Sequence, residues 1–166
     1  MNPNSARAHP IVLPGFSLVE LLVVVAIVSV LATIGLPLAE LAQRRTQEEE
    51  LRTSLRLIRK ALDDYKDAVT EGRIPRNVGD SGYPPNLNVL VDGVPDAKSA
   101  QGGKLFFLRR LPRDPFAPAD IAQAADTWGL RSYVSPSDDP KPGKDVYDVY
   151  SLSRDKGLNG EPYRNW

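Results

Sequence analysis

The amino-acid sequence predicts an α+β fold, in which one long N-terminal helix packs on a small antiparallel β-sheet head. Three observations lead to this fold class. A strongly apolar segment lies near the N-terminus, and a charged segment with regularly spaced apolar residues follows it. The last third of the chain holds short β-type segments bounded by Pro, Gly and Asp.

The composition argues against an enzyme and against a nucleic-acid partner. The 166 residues contain 21 Lys and Arg and 21 Asp and Glu, so the formal net charge is zero and no excess of basic residues favours nucleic acid. The absence of cysteine excludes disulfides and thiolate zinc sites. The single histidine, His9, argues against histidine-based triads and multi-histidine metal centres. We therefore expect a protein without catalytic activity.

The apolar segment has the length of a membrane span. Residues 21–39 include no formal charge, and 19 helical residues extend about 28 Å, close to the thickness of the hydrocarbon layer. A buried core helix is the alternative, but a chain of this size has little material to surround one. We expect a membrane helix over residues 16–38, with a kink or local loss of helix near Gly35 and Pro37.

The residues before this segment form a polar leader, at 1–15, that ends in Gly15. A secretory signal places its apolar region before the cleavage point, whereas here the apolar region follows. Cleavage after Gly15 would therefore leave the hydrophobic helix attached to the mature protein, where it serves as an anchor.

Residues 39–71 form the amphipathic half of the same predicted helix, which runs from about residue 16 to residue 71. Apolar residues recur at spacings of four and three, which gives one narrow stripe on the helix surface: Leu51, Leu55, Ile58, Leu62, Tyr65 and Val69. Gly72 is the expected stop. The stripe either packs on the head or forms a coiled coil. The charged run at 47–50 is expected to be a solvated face, with contact to a neighbouring subunit as the alternative.

The head is expected at residues 72–166. Residues 72–104 are rich in loop-forming residues, with a short helical turn at NLNVLV. Three strands are predicted, at KLFFLRRL, WGLRSYVS and DVYDVYSLS, joined by FAPADIAQAADT and SPSDDPKPGK. Asp114 and Pro115 are interpreted as a turn rather than an acid catalyst, and Tyr147 and Tyr150 as core or sheet-face residues.

Glu20 is the one acidic residue at the start of the apolar segment. A carboxylate within a membrane helix costs about 2.5 kcal/mol or more, so its position requires an explanation. Cleavage after Gly15 would create a positive amine on Phe16 at a similar depth. Pairing of Glu20 with the Phe16 amine of a neighbouring subunit would compensate both charges and set the register of an assembly.

The stretch GFSLVELLVVVAIVSVLA resembles the N-terminal signal of type IV pilins and of type II secretion pseudopilins. Gly15, Phe16 and Glu20 match the positions of that pattern, and Pro37 matches its helix-loosening proline. The resemblance implies a type IV pilin-like fold, with cleavage between Gly15 and Phe16 by a prepilin peptidase and methylation of the Phe16 amine.

The head narrows the resemblance to the major pseudopilins of type II secretion. Three segments of the head show this resemblance: LRRLPRDP, WGLRSYVS and DVYDVYSLSRDKGLNGEPYRNW. This resemblance implies a homopolymeric filament subunit, held in the bacterial inner membrane by a single span with its head in the periplasm. Membrane lipid before assembly, minor pseudopilins and the inner-membrane assembly platform are the implied partners. A type IV pilus subunit and a membrane-anchored periplasmic domain that never polymerises remain alternatives.

The same resemblance implies one Ca²⁺ in the loop after the last strand. The implied ligands are Asp155, helped by the side chains of Asn159 and Glu161 and the carbonyl oxygens of Leu152 and Ser153. A Gly-rich turn with solvated charges is the alternative interpretation of these residues.

Overall fold

A computed structural model describes residues 15–166 of the chain. The leader predicted at residues 1–15 therefore lies outside the described residues, except for Gly15. The chain divides into two compact units, which meet between Ala42 and Gln43. The secondary-structure elements of the head all belong to the second unit.

The long helix, α1, runs over Leu18–Thr70, close to the predicted 16–71. The helix continues through Gly35 and Pro37, so of the two expected alternatives the local loss of helix does not occur and the kink stays a prediction. Pro37 has no N–H to donate to the carbonyl of Thr33, which removes one rung of the helical hydrogen-bond ladder. The Thr33 hydroxyl donates to the carbonyl of Val30 at 2.7 Å, within the same turn.

Helix α1 ends in a Schellman motif at the predicted stop. Gly72 adopts φ +71° and donates its N–H to the carbonyl of Val69 at 3.0 Å. The N–H of Arg73 donates to the carbonyl of Ala68 at 2.9 Å, which completes the six-to-one bond of the motif. Glycine is favoured at residue 72 because side chains strain the left-handed conformation.

The predicted apolar stripe of α1 forms the spine of the core. All six of its residues are buried: Leu51, Leu55, Ile58, Leu62, Tyr65 and Val69. Ala61 and Ala68 of α1 also belong to the core, and the head contributes its other residues, including Leu90, Trp128, Val149 and Tyr163. The stripe therefore packs on the head of its own chain, as the first of its two interpretations predicted.

The head contains a short helix and two small antiparallel sheets, where the sequence predicted three strands. Helix α2 covers Val89–Asp92, which overlaps the turn predicted at residues 86–91 and extends one residue beyond it. Strands β1 (Val94–Pro95) and β2 (Lys104–Leu105) form one pair, and β3 (Trp128–Arg131) and β4 (Asp148–Ser151) form the other.

The prediction of a strand at KLFFLRRL is wrong for most of its residues. Only Lys104 and Leu105 lie in a strand, because the next apolar residues bond to a helix instead. The main-chain N–H groups of Phe107 and Leu108 both donate to the carbonyl of Leu90, at 3.0 and 2.9 Å. The apolar run therefore closes over α2 rather than extending the sheet.

Two 3₁₀ turns complete the head, at Ala124–Thr127 and Tyr163–Asn165. The first lies in the predicted connection FAPADIAQAADT and leads directly into β3. The second lies in the segment after β4 and places Tyr163 in the core with no exposed surface. The described end of the chain is therefore part of the packed head.

Candidate functional site

The expected cleavage site lies in an open stretch just before α1. Gly15 and Phe16 precede the first helical residue, Leu18, and the Phe16 side chain is 82% exposed. A Cβ on Gly15 would meet no atom within 4 Å, and its φ is not positive. Neither packing nor backbone strain among the described residues requires glycine at this position, which leaves recognition by another molecule as a reason for it.

Glu20 lies in the first turn of α1. Its side chain is exposed, and it has no hydrogen-bond or ion-pair partner within residues 15–166. A carboxylate at this end of a helix interacts favourably with the unpaired N–H groups of the first turn. That interaction stabilises the helix start, but it leaves the carboxylate free to pair with a positive charge from outside the described chain.

Helix α1 exposes its apolar side chains over residues 20–33 and 37–42. Leu21, Val24, Ile27 and Leu31 are each more than half exposed, and the most apolar window of the helix has no buried residue. By length and composition this helix can cross a membrane. An apolar face of this extent is stable only against lipid or other apolar helices.

A second charged site lies where α1 meets the segment after β4. Glu48 was expected on a solvated face, and that expectation is wrong, since its side chain is only 6% exposed. Its Oε1 accepts hydrogen bonds from the N–H of Leu158 at 2.7 Å and from the hydroxyl of Tyr163 at 2.9 Å. Arg44 donates from Nη2 to the carbonyl of Lys156 at 2.6 Å and from Nε to the Tyr163 hydroxyl at 3.3 Å.

Sequence reasoning missed this pair although a signal was present. Arg44 and Glu48 continue the spacing of the apolar stripe, because Glu48 lies three residues before Leu51 and Arg44 lies four residues before Glu48. Their partners are more than 100 positions away in sequence, and nothing in the local pattern identifies them. Charged residues in phase with a buried stripe indicate buried polar contacts rather than a solvated face.

Two further arginines of α1 bind the same end of the head. Arg59 donates to Asp148 Oδ1 at 2.8 Å, to the carbonyl of Val149 at 3.2 Å and to the main-chain oxygen of Trp166 at 2.8 Å. The guanidinium of Arg52 stacks over the Trp166 ring at 4.3 Å from its centroid. The segment after β4 is thus attached to α1 at several points.

Two of the residues expected to bind Ca²⁺ accept main-chain hydrogen bonds within the segment after β4. The Asn159 side-chain oxygen accepts the N–H of Glu161 at 3.1 Å, and the Asp155 carbonyl accepts the N–H of Tyr163 at 3.1 Å. No group of three or more His, Cys, Asp or Glu suitable for a metal occurs within residues 15–166. Calcium takes six to eight oxygens and favours carboxylates, whereas two of the five expected ligands, Asp155 and Glu161, are carboxylates and the Asn159 side-chain oxygen already accepts a main-chain N–H.

The other residues weighed as functional candidates have structural contacts. Asp114 is buried and accepts the N–H of Phe116 at 2.8 Å, as a turn aspartate does, and the carbonyl of Asp114 accepts the N–H of Ala117 at 3.1 Å. Tyr147 packs edge-on against Tyr83, with ring centroids 5.0 Å apart. Tyr150 lies directly over Gly129, its partner in the β3–β4 pair.

The N-terminus combines an exposed Gly-Phe step, an acidic residue in the first helical turn and an exposed apolar helix, which is the arrangement that the resemblance to prepilins implies. In agreement, residues 15–36 match the prokaryotic N-terminal methylation motif. The chain is also 27% identical over 151 residues to type II secretion system core protein G of Vibrio cholerae serotype O1, covering 89% of this chain and 84% of that protein. The motif and this similarity together support a major pseudopilin. No solved structure matches the chain significantly.

Proposed function

We propose that this chain is the main structural subunit of a type II secretion pseudopilus. The observation that carries the proposal is the exposed apolar helix, which has Glu20 in its first turn and follows an open Gly-Phe step. A helix of this kind needs lipid before assembly and other copies of itself afterwards. The similarity to a type II secretion core protein supports secretion as the process served.

In this proposal a prepilin peptidase cuts between Gly15 and Phe16 and methylates the new amine. The open surroundings of Gly15 support access by a peptidase. The matched methylation motif begins at the same residue, Gly15. The mature subunit then stays in the inner membrane through its helix, with the head in the periplasm.

Assembly follows from the charge at Glu20. Its carboxylate pairs with the Phe16 amine of a neighbouring copy, so that two charges costly in lipid compensate each other and set the register between subunits. The helices pack together in the filament core and the heads face outwards. Minor pseudopilins and the inner-membrane assembly platform are the proposed partners, and the filament moves cargo without catalysis of its own.

Intact-mass spectrometry tests the processing step. The protein is purified from membranes with and without a co-expressed prepilin peptidase. Loss of residues 1–15 with one added methyl group is the expected result. An unprocessed mass in the presence of active peptidase would contradict the proposal and leave the helix as a plain membrane anchor.

Substitution of Glu20 tests the assembly step. We expect Glu20→Ala to insert into the membrane and to be processed, but to form no filaments, because the Phe16 amine loses its partner. Glu40→Ala, an exposed carboxylate farther along the same helix, is the matched control and should assemble normally. Filaments of Glu20→Ala at the normal level would overturn the register role.

Complementation separates secretion from an adhesive or motile pilus. Expression in a secretion-competent bacterium that lacks its own major pseudopilin should restore export of its secreted proteins. Restored twitching motility or adhesion in a pilin-deficient strain, without restored export, would favour the type IV pilus alternative instead.

A further inference from the structure

We propose that three hydrogen-bonded side chains, Arg44, Tyr163 and Glu48, order the segment of residues 152–166. They order it without a metal ion, whereas the family resemblance implies that Ca²⁺ binds in this segment. We call these three side chains the latch. It concerns the folding of the head alone, so it holds or fails independently of processing, polymerisation and secretion.

The carboxylate of Glu48 is the first part of the latch. One oxygen, Oε1, accepts from both the Leu158 N–H and the Tyr163 hydroxyl, at 2.7 and 2.9 Å. Hydrogen bonds to an ionised acceptor are stronger than neutral ones, and burial strengthens them further. Two points of the segment, five residues apart, are thereby tied to one residue of α1.

The guanidinium of Arg44 is the second part. Its Nη2 donates to the Lys156 carbonyl at 2.6 Å, and its Nε donates to the Tyr163 hydroxyl at 3.3 Å. A loop-binding calcium ion acts by attracting carbonyl oxygens to a positive charge. Arg44 already supplies such a charge to a loop carbonyl, and Glu48 balances it on the far side of the phenol.

Tyr163 joins the two charges and anchors them in the core. Its ring has no exposed surface, stacks on Phe116 with centroids 4.1 Å apart and meets Trp166 edge-on at 4.9 Å. Burial raises the pKa of its hydroxyl; the hydrogen bond from Arg44 opposes that rise and the hydrogen bond to Glu48 adds to it. The hydroxyl therefore stays protonated at neutral pH and can donate to Glu48.

The charge of the segment disfavours a divalent cation. Residues 152–166 include two acidic residues, Asp155 and Glu161, and three basic ones, Arg154, Lys156 and Arg164. The nearby charges of Arg44 and Glu48 balance each other and leave this excess of basic residues unchanged. Calcium sites gain affinity from the number of carboxylate ligands, and here the local excess is positive.

The first test measures thermal unfolding of the full-length protein in detergent, with millimolar calcium chloride or with a chelator. The latch predicts the same midpoint in both. A site saturated about a hundredfold above its dissociation constant would raise the midpoint of a domain of this size by on the order of 10 °C. A rise of that order would overturn the proposal.

The second test measures hydrogen exchange of the amides in residues 156–163. Glu48→Ala should speed exchange at Leu158 and its neighbours at least tenfold, while the amides of α1 around Ile58 stay protected. Glu49→Ala, an exposed carboxylate one position along, is the matched control and should leave exchange unchanged. Arg44→Gln and Arg45→Gln form a second matched pair with the same expected contrast.

Tyr163→Phe tests the same proposal if Glu48→Ala fails to fold. It preserves the ring stacked on Phe116 and removes only the hydroxyl that joins the two charges. Faster exchange in residues 156–163 with calcium giving no protection supports the latch. Unchanged exchange in Tyr163→Phe, or slower exchange of the wild-type segment on adding calcium, would overturn it.

Discussion

The hydroxyl of Ser151 donates a 2.5 Å hydrogen bond to Oδ2 of Asp114, and both residues are buried. The other carboxylate oxygen of Asp114 accepts the N–H of Phe116. The main-chain N–H of Asp114 donates to Thr127 Oγ1 at 3.1 Å. One turn aspartate therefore connects strand β4, the 3₁₀ turn before β3 and the Leu-Pro-Arg-Asp-Pro segment.

Replacing Asp114 should destabilise the head strongly. Asp114→Ala leaves the buried Ser151 hydroxyl and the partly buried Phe116 N–H without their acceptor, so we expect a loss of about 2–4 kcal/mol in the free energy of unfolding. Chemical denaturation followed by circular dichroism measures it. Asp120→Ala, an exposed aspartate in the same connection, should cost under about 0.5 kcal/mol. Equal effects of the two changes would refute the buried role.

Gly129 should tolerate no side chain while Tyr150 lies over it. A Cβ at residue 129 would fall 2.3 Å from Cε2 and 2.4 Å from Cζ of the Tyr150 ring. We expect Gly129→Ala to lower stability by about 1–3 kcal/mol, because the ring must move off the sheet. In a Tyr150→Ala background the same change should cost much less. An equal loss of stability in that background would show that the Tyr150 ring is not what excludes a side chain at residue 129.

Arg59 should not be replaceable by lysine. Its guanidinium donates hydrogen bonds to Asp148, to the Val149 carbonyl and to the main-chain oxygen of Trp166. The ammonium group of lysine cannot reproduce this planar arrangement of donors. Arg59→Lys is expected to cost about 1–2 kcal/mol, measured by chemical denaturation. Arg56→Lys should be neutral and serves as the control, because within residues 15–166 the guanidinium of Arg56 bonds only to the Thr53 hydroxyl, at 3.3 Å.

The Arg73–Asp96 ion pair should make stability fall at acid pH. The hydrogen bond from Arg73, at 2.6 Å, lowers the pKa of the Asp96 carboxyl below its ordinary value of 3.8, and the N–H of Lys98 assists. A carboxylate with a lowered pKa contributes stability that is present above its ordinary pKa and is lost as the pH falls through the lower folded value.

Unfolding measured from about pH 6 to about pH 2 tests this contribution. The stability difference between wild type and Arg73→Gln should be largest at the upper end and should shrink below pH 4 or so. Arg76→Gln, at an exposed position in the same loop, is the control and should show little difference at any pH. A difference between wild type and Arg73→Gln that stayed constant across the range would exclude the Asp96 carboxylate as its source.

Helix α1 could be predicted from the sequence because its signals are local. The apolar stripe has a fixed helical spacing, and Gly72 supplies the left-handed residue of the C-terminal cap, so both the face and the end followed from neighbouring residues. The N-terminal candidates Gly15, Phe16 and Glu20 were equally accessible, since their pattern occupies six consecutive positions.

The head was less predictable because its elements depend on distant partners. The run at 104–108 has the composition of a strand, yet two of its N–H groups bond to Leu90 of helix α2. Strand β1 includes Pro95, which the sequence pattern assigned to a loop. Glu48 resembled a surface charge until its partners, 110 and 115 positions away, were in place.

The position of Arg44 also determines how a soluble fragment of this protein should be cut. A fragment starting near residue 43 removes the exposed apolar helix and retains every residue of the second unit, including Arg44, Glu48 and the whole buried stripe. A fragment starting at Leu51 keeps the stripe but loses both charged ends of the latch. For crystallisation or antibody production, a fragment that includes residues 43–50 should keep the final segment ordered. In a fragment without them, the Tyr163 hydroxyl has lost both of its partners.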